Sequence, residues 1–92
     1  MHPLSTRVLS ARLVDGRVHL SCQRGMADAV MFYSRRGTEQ EFSPLADETE
    51  AILDDRPKLD PYAPEERRYY AILLYSGEGN RMKSNEIVVL VP

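Results

Sequence analysis

Tyr69-Tyr70-Ala71-Ile72-Leu73-Leu74-Tyr75 is followed by Ser76-Gly77-Glu78-Gly79-Asn80 and then by Ser84-Asn85-Glu86-Ile87-Val88-Val89-Leu90-Val91. These are two runs of residues that suit a pleated sheet, joined by a Gly/Asn loop, and they predict a closing β-hairpin. In the first run the expectation is that Tyr70, Ile72 and Leu74 point inward and Tyr69, Ala71, Leu73 and Tyr75 outward. In the second, Ile87, Val89 and Val91 are expected inward and Val88 and Leu90 outward.

Upstream, Arg7 to Val14 alternates, with Leu9, Ala11 and Leu13 on one side and Ser10 and Arg12 on the other. Asp15-Gly16 supplies a two-residue hairpin turn, because a type I′ turn needs positive φ. Arg17 to Cys22 resumes the alternation, with Val18, Leu20 and Cys22 inward and Arg17, His19 and Ser21 outward. Ala29 to Ser34 reads as a third strand, with Val30 and Phe32 inward and Met31 and Tyr33 outward, closed by Arg35-Arg36-Gly37. Glu41-Phe42 begins a short fourth segment that stops at Pro44. Residues 44–53 admit two readings: a capped helix with Pro at its first position, or a turn followed by a strand over Ala51 to Leu53. Strands on both sides favour the second. Residues 54–66 hold Pro57, Pro61 and Pro64 among many charges and are expected to form a long connecting loop, and residues 1–6 a loose lead-in. About seven strands with turn signals between them, and no helix required, indicate an all-β antiparallel sandwich.

The chain has 92 residues, 42% hydrophobic and 28% charged, with net charge −2 and pI about 5.6. That length fits one domain, residues 1–92, able to bury roughly 60–65% of its unfolded surface. Nucleic-acid binders usually carry a basic stripe and a high pI, so nucleic acid is not an expected partner. Nor is a membrane, for want of an apolar run long enough to span one. Cys22 is the only cysteine, so the fold is expected to be independent of an oxidising compartment. With no hydrophobic signal region near Met1, a cytoplasmic setting is the expectation.

Chemistry-bearing constellations are missing. Cys22 alternates with Val18 and Leu20, which predicts a core thiol, and His19 lies on the opposite face of the strand. Two histidines and one cysteine give no zinc spacing. The acidic stretch Asp47, Glu48, Glu50, Asp54, Asp55 lacks the Gly and the register of a calcium loop, and is read as a solvated face that protects a sheet edge. Gly77-Glu78-Gly79 opens no helix and so cradles no phosphate. Arg35-Arg36 and Arg67-Arg68 are read as solubilising surface pairs, with an anion-binding patch as the alternative if the two pairs are neighbours in space. No cofactor, no metal and no enzymatic activity are expected.

Three stretches resemble a fibronectin type III domain. Val18-His19-Leu20-Ser21-Cys22 is similar to the second-strand motif of that family, with Cys22 where a core Trp normally stands. Val30-Met31-Phe32-Tyr33-Ser34-Arg35 resembles the third strand, and Tyr69 to Leu74 with Ser84 to Val91 resembles the last hairpin. Asp55-Arg56-Pro57 and Pro64 to Tyr69 are similar to modules of bacterial proteins unrelated to extracellular matrix. The resemblance implies a seven-stranded, immunoglobulin-like sandwich of fibronectin type III topology, a fold whose members mostly hold, space or bind other proteins. Fold alone does not transfer function, and there is no Arg-Gly-Asp for integrin-type adhesion.

In such a fold the third strand and the last two share a sheet, so their outward residues would form one patch: Met31, Tyr33, Leu73, Tyr75, Val88 and Leu90. Large exposed apolar patches mark binding surfaces, and Tyr and Met are enriched in them. The expected function is a non-catalytic protein-interaction or spacer module. Its partner would be another copy, a neighbouring domain or a separate protein. The alternative is a small ligand-binding module for carbohydrate or an anion, using surface Tyr and Arg.

Overall fold

The structure, a computed structural model, describes residues 8–45, 50–76 and 79–92. The lead-in over residues 1–6, Asp47 and Glu48 of the acidic stretch, and Gly77-Glu78 of the last loop lie outside the described residues.

The described chain is all-β, built as two antiparallel sheets facing each other across one core. The strands are β1 (Leu9–Val14), β2 (Arg17–Cys22), β3 (Ala29–Arg36), β4 (Ser43–Pro44), β5 (Ala51–Asp54), β6 (Glu65–Tyr75), β7 (Asn80–Lys83) and β8 (Ile87–Val91). One sheet has the order β1-β2-β5. The other runs β4-β3-β6-β7, and β8 also pairs with β6. Among the described residues no helix is long and apolar enough to cross a membrane.

The first hairpin forms as its sequence dictates. Asp15 and Gly16 adopt φ of 51° and 77°, which closes the strands with Val14 opposite Arg17. Asp15 tolerates this left-handed region because its short polar side chain does so better than most. On the inner face, Leu9, Val18, Leu20 and Cys22 are buried, while Arg12, Arg17 and Ser21 are exposed. Residues 51–54 are a strand, paired with β2 so that Leu20 lies opposite Ile52.

Where β6 begins, and which way it faces, correct the sequence reading. The strand starts at Glu65, four residues before Tyr69, so the connecting loop is shorter than expected. Charged residues hide this start: Glu65 and Arg67 point inward as a buried ion pair. The facing of the apolar run is reversed. Tyr69, Ala71 and Leu73 are 0–1% exposed and form the core, and Tyr75 packs partly buried against it, whereas Tyr70, Ile72 and Leu74 lie on the outer face. The cause is register. Directly paired residues share a face of the sheet, and β6 places Leu73 opposite Val30, Ala71 opposite Phe32 and Tyr69 opposite Ser34. All three β3 partners are buried.

The last strand is divided. Ser84 accepts the Ala71 N–H on its hydroxyl (2.8 Å), and its own N–H donates to the Ala71 carbonyl (2.8 Å). This double contact replaces ladder pairing between β7 and β8, which lie one after the other along the β6 edge opposite β3. The result is eight strands among the described residues, where about seven were expected.

Candidate functional site: the outer face of the larger sheet

β3, β6, β7 and β8 are neighbours in one sheet, and their outward residues do come together. Met31, Tyr33, Val88 and Leu90 lie on this face as expected, with Val88 49% and Leu90 60% exposed. Leu73 and Tyr75 do not belong to it, because they face the core. Their places are taken by Tyr70, Ile72 and Leu74, each half-buried.

The centre of the face is aromatic. Tyr33 and Tyr70 are direct cross-strand partners, and their rings stack with centroids 5.0 Å apart and planes at 10°. Phe42, just before β4, meets Tyr70 edge-on at 4.7 Å. Two cations lie over this cluster: Lys83 Nζ is 4.5 Å from the Tyr70 centroid, and the Arg35 guanidinium is 5.4 Å from that of Phe42. Each such contact contributes about 0.5–1 kcal/mol at an exposed site. β3 and β7 flank β6 on opposite sides, so Tyr33 and Lys83 approach Tyr70 from opposite sides. A rigid aromatic strip edged by cations results. The outer face of the smaller sheet is different in kind: Ser10, Arg12, Arg17, His19 and Ser21 dominate it, with Val14 beside Arg17 and Leu53 beside His19 as exposed apolar residues.

A second cluster, which the sequence did not disclose, lies buried at one end of the sandwich. Asp54 is 3% exposed and Arg67 0% exposed. Arg56 grips the Asp54 carboxylate with two N–H groups at 2.6 and 2.7 Å, Tyr69 donates its hydroxyl to it at 2.6 Å, and Arg67 lies at 3.3 Å. Arg67 also donates to Glu65 (2.6 Å) and to the Arg56 carbonyl (2.9 Å), and Arg56 to Ser34 (2.9 Å). Arg67 is therefore no surface cation, and Asp54 is no solvated edge charge. Burial disfavours the Asp54 carboxylate, yet hydrogen bonds from Arg56 and Tyr69 and the charges of Arg56 and Arg67 outweigh it and hold its pKa at about 2. Burial and the same carboxylate push the Tyr69 phenol well above its ordinary value. Every charge here is matched by an opposite charge, as buried charges must be. The group ties β5, the following loop, β3 and β6 together. Most of its polar atoms are engaged within the group, and Glu65, which also accepts from the Leu59 N–H (2.8 Å), reaches a shallow hollow on the surface.

Chemistry elsewhere is sparse. Cys22 is buried, and burial, with Glu50 nearby, raises its thiol pKa. Among the described residues no group of His, Cys, Asp or Glu is placed to hold a metal ion. Gly37, Thr38, Leu59, Asp60, Pro64, Glu65 and Glu66 line a shallow hollow of about 410 Å³. No protein-family model, curated protein or solved structure matches the chain.

Proposed function

We propose that this is a non-catalytic protein-interaction module of the fibronectin type III kind, working through the outer face of the sheet formed by β3, β6, β7 and β8. The observation that carries this is the contrast between its two outer faces. One is an aromatic and aliphatic strip of Tyr33, Tyr70, Phe42, Ile72 and Leu74, continuing to Val88 and Leu90; the other is mainly hydroxylated and charged, with only Val14 and Leu53 as exposed large apolar residues among those described. Tyrosines held by stacking lose little entropy on binding, which makes them effective anchors. Strand order supports the family reading. Three strands stand against β4-β3-β6, and if β7 and β8 are taken as one interrupted strand along β6, the total is seven.

A protein partner fits the surface better than a small ligand. Tyr70 is already flanked by Tyr33 and Lys83, and Phe42 by Arg35, so ring faces that would stack on a sugar and cations that would meet an anion are engaged. The experiment is affinity capture from a lysate of the producing cells with three baits: the wild type, an Ile72→Ser/Val88→Ser variant of this face, and an Arg12→Ser/His19→Ser variant of the other. The specific partner should be lost from the first variant and kept by the second. A partner lost only from the second variant would reverse the assignment. A melting temperature raised by a sugar or an oxyanion would replace a protein partner with a ligand.

A further inference from the structure

The free edge of β8 points to a specific kind of contact. In an antiparallel ladder successive residues aim their backbone N–H and C=O groups to opposite sides. Glu66 and Leu74 accept from Gly37 and Asp28 on the β3 side (2.7 and 2.8 Å), whereas Ala71 accepts from Ser84 on the other. The odd-numbered residues Glu65, Arg67 and Tyr69 therefore bond toward β8, opposite Val91, Val89 and Ile87. Val88 and Leu90 are left with N–H and C=O groups directed away from the sheet, and among the described residues no backbone group meets them.

Natural sheets blunt such edges with charges, prolines, bulges or a covering element. Ile87–Val91 itself contains neither a charge nor a proline, and Glu86 and Pro92 only bracket it. The nearby β1 does not close it: Asn85 accepts from the Leu9 N–H and donates to the Leu9 carbonyl (both 3.0 Å), which engages the start of β1 and leaves Val88 and Leu90 open.

We propose that β8 is a self-association edge at which two copies join by antiparallel β8–β8 pairing about a two-fold axis at Val89. Each Val88 then exchanges two backbone hydrogen bonds with Leu90 of the second copy, and Ile87 opposes Val91. Charge favours this register slightly, since Arg68 already pairs with Glu66 in its own copy (3.3 Å) and exposed charges so far apart are largely screened. Val88 is paired with Arg68 and Leu90 with Glu66 within one copy. Joining Val88 to Leu90 gives rows that end in Arg68 on one side and Glu66 on the other. Val88 against Val88, or Leu90 against Leu90, would end them in like charges. The contact is made by the backbone edge, so it goes beyond the outer-face reading and stands even if the aromatic strip binds nothing.

One five-residue strand per copy buries less than a standard interface of about 1,600 Å², so the dimer should be weak. Sedimentation equilibrium from about 10 μM to about 1 mM covers the relevant range. Wild type is compared with Leu90→Pro, which removes an outward N–H at a position where edge strands accept proline, and with Leu90→Ser, which keeps it. Expected are a wild-type dimer at high concentration, a folded and monomeric Leu90→Pro, and a Leu90→Ser dimer weakened by at most about tenfold. A wild type monomeric throughout would overturn the proposal. So would a folded Leu90→Pro that dimerises normally, even if Tyr70→Ser abolished the dimer, since association would then run through the face. If Leu90→Pro does not fold, amide exchange of the wild type decides. The Val88 and Leu90 amides must slow by at least about tenfold on concentration, and unchanged exchange rejects the edge.

Discussion

Leu73 and Leu90 differ in environment though not in kind. Leu73 is 1% exposed, opposite Val30, and Leu90 is 60% exposed beside Glu66. Serine at 73 leaves a cavity and a buried hydroxyl, and is expected to cost about 3–5 kcal/mol. Serine at 90 should change stability by no more than about 0.5 kcal/mol. Urea unfolding of the two variants checks this, and comparable losses in both would mean that the facing of β6 is misplaced. The sequence alone could not choose that facing. Tyr69 to Tyr75 is apolar on both sides, so alternation carries no preference within it. The decision comes from β3, where buried Val30, Phe32 and Ser34 impose their face on their partners across the ladder. Arg67 was illegible for another reason. A charged residue in a basic pair reads as surface, and only the convergence of Asp54 and Glu65 in space makes its burial tolerable.

At the scale of elements, the first hairpin was legible because one turn settles it. Asp15-Gly16 supplies the positive φ, and strict alternation on both arms sets the faces. Residues 51–54 resolved as a strand because the β2 edge needs a partner there. The division of β7 from β8 left no clear mark, since it depends on one hydroxyl. Ser84 satisfies the buried Ala71 N–H in place of a ladder carbonyl. Ser84→Ala would leave that N–H without its partner, at a cost of about 1–3 kcal/mol. The Ala71 amide should also exchange faster than those of neighbouring β6 residues. An unchanged melting curve and unchanged exchange would show that the division has another cause.

For the whole molecule, the buried charges make stability depend on acid. Asp54 has a pKa of about 2 in the folded chain, below its unfolded value near 3.9. Its contribution is thus fully present above about pH 4 and is lost as pH falls through 2. That contribution is on the order of 2 kcal/mol. Glu65 acts in the same direction: burial opposes its charge, but the Leu59 N–H and Arg67 lower its pKa. Unfolding free energy measured between pH 6 and pH 2 should fall, and Asp54→Asn should be less stable at pH 6 with a flatter acid limb. A variant as steep as wild type would place the acid sensitivity elsewhere. The same network lies at one end of the sandwich, and among the described residues the charge pairs beside the aromatic face of β3 and β6 are Glu66–Arg68 and Lys83–Glu86.

The proposed working surface is tested most directly by hydroxyl-radical footprinting of the wild-type protein, free and bound to a protein recovered by the affinity capture. Oxidation reports side-chain exposure at Met31, Tyr33, Tyr70 and Leu90 on the proposed face. Tyr62, 95% exposed and in the loop before β6, is an internal reference. Binding is expected to protect Tyr33, Tyr70 and Leu90 while Tyr62 and His19 stay reactive. Protection of His19 and Leu53 with Tyr70 unchanged would put the partner on the smaller sheet and contradict the account.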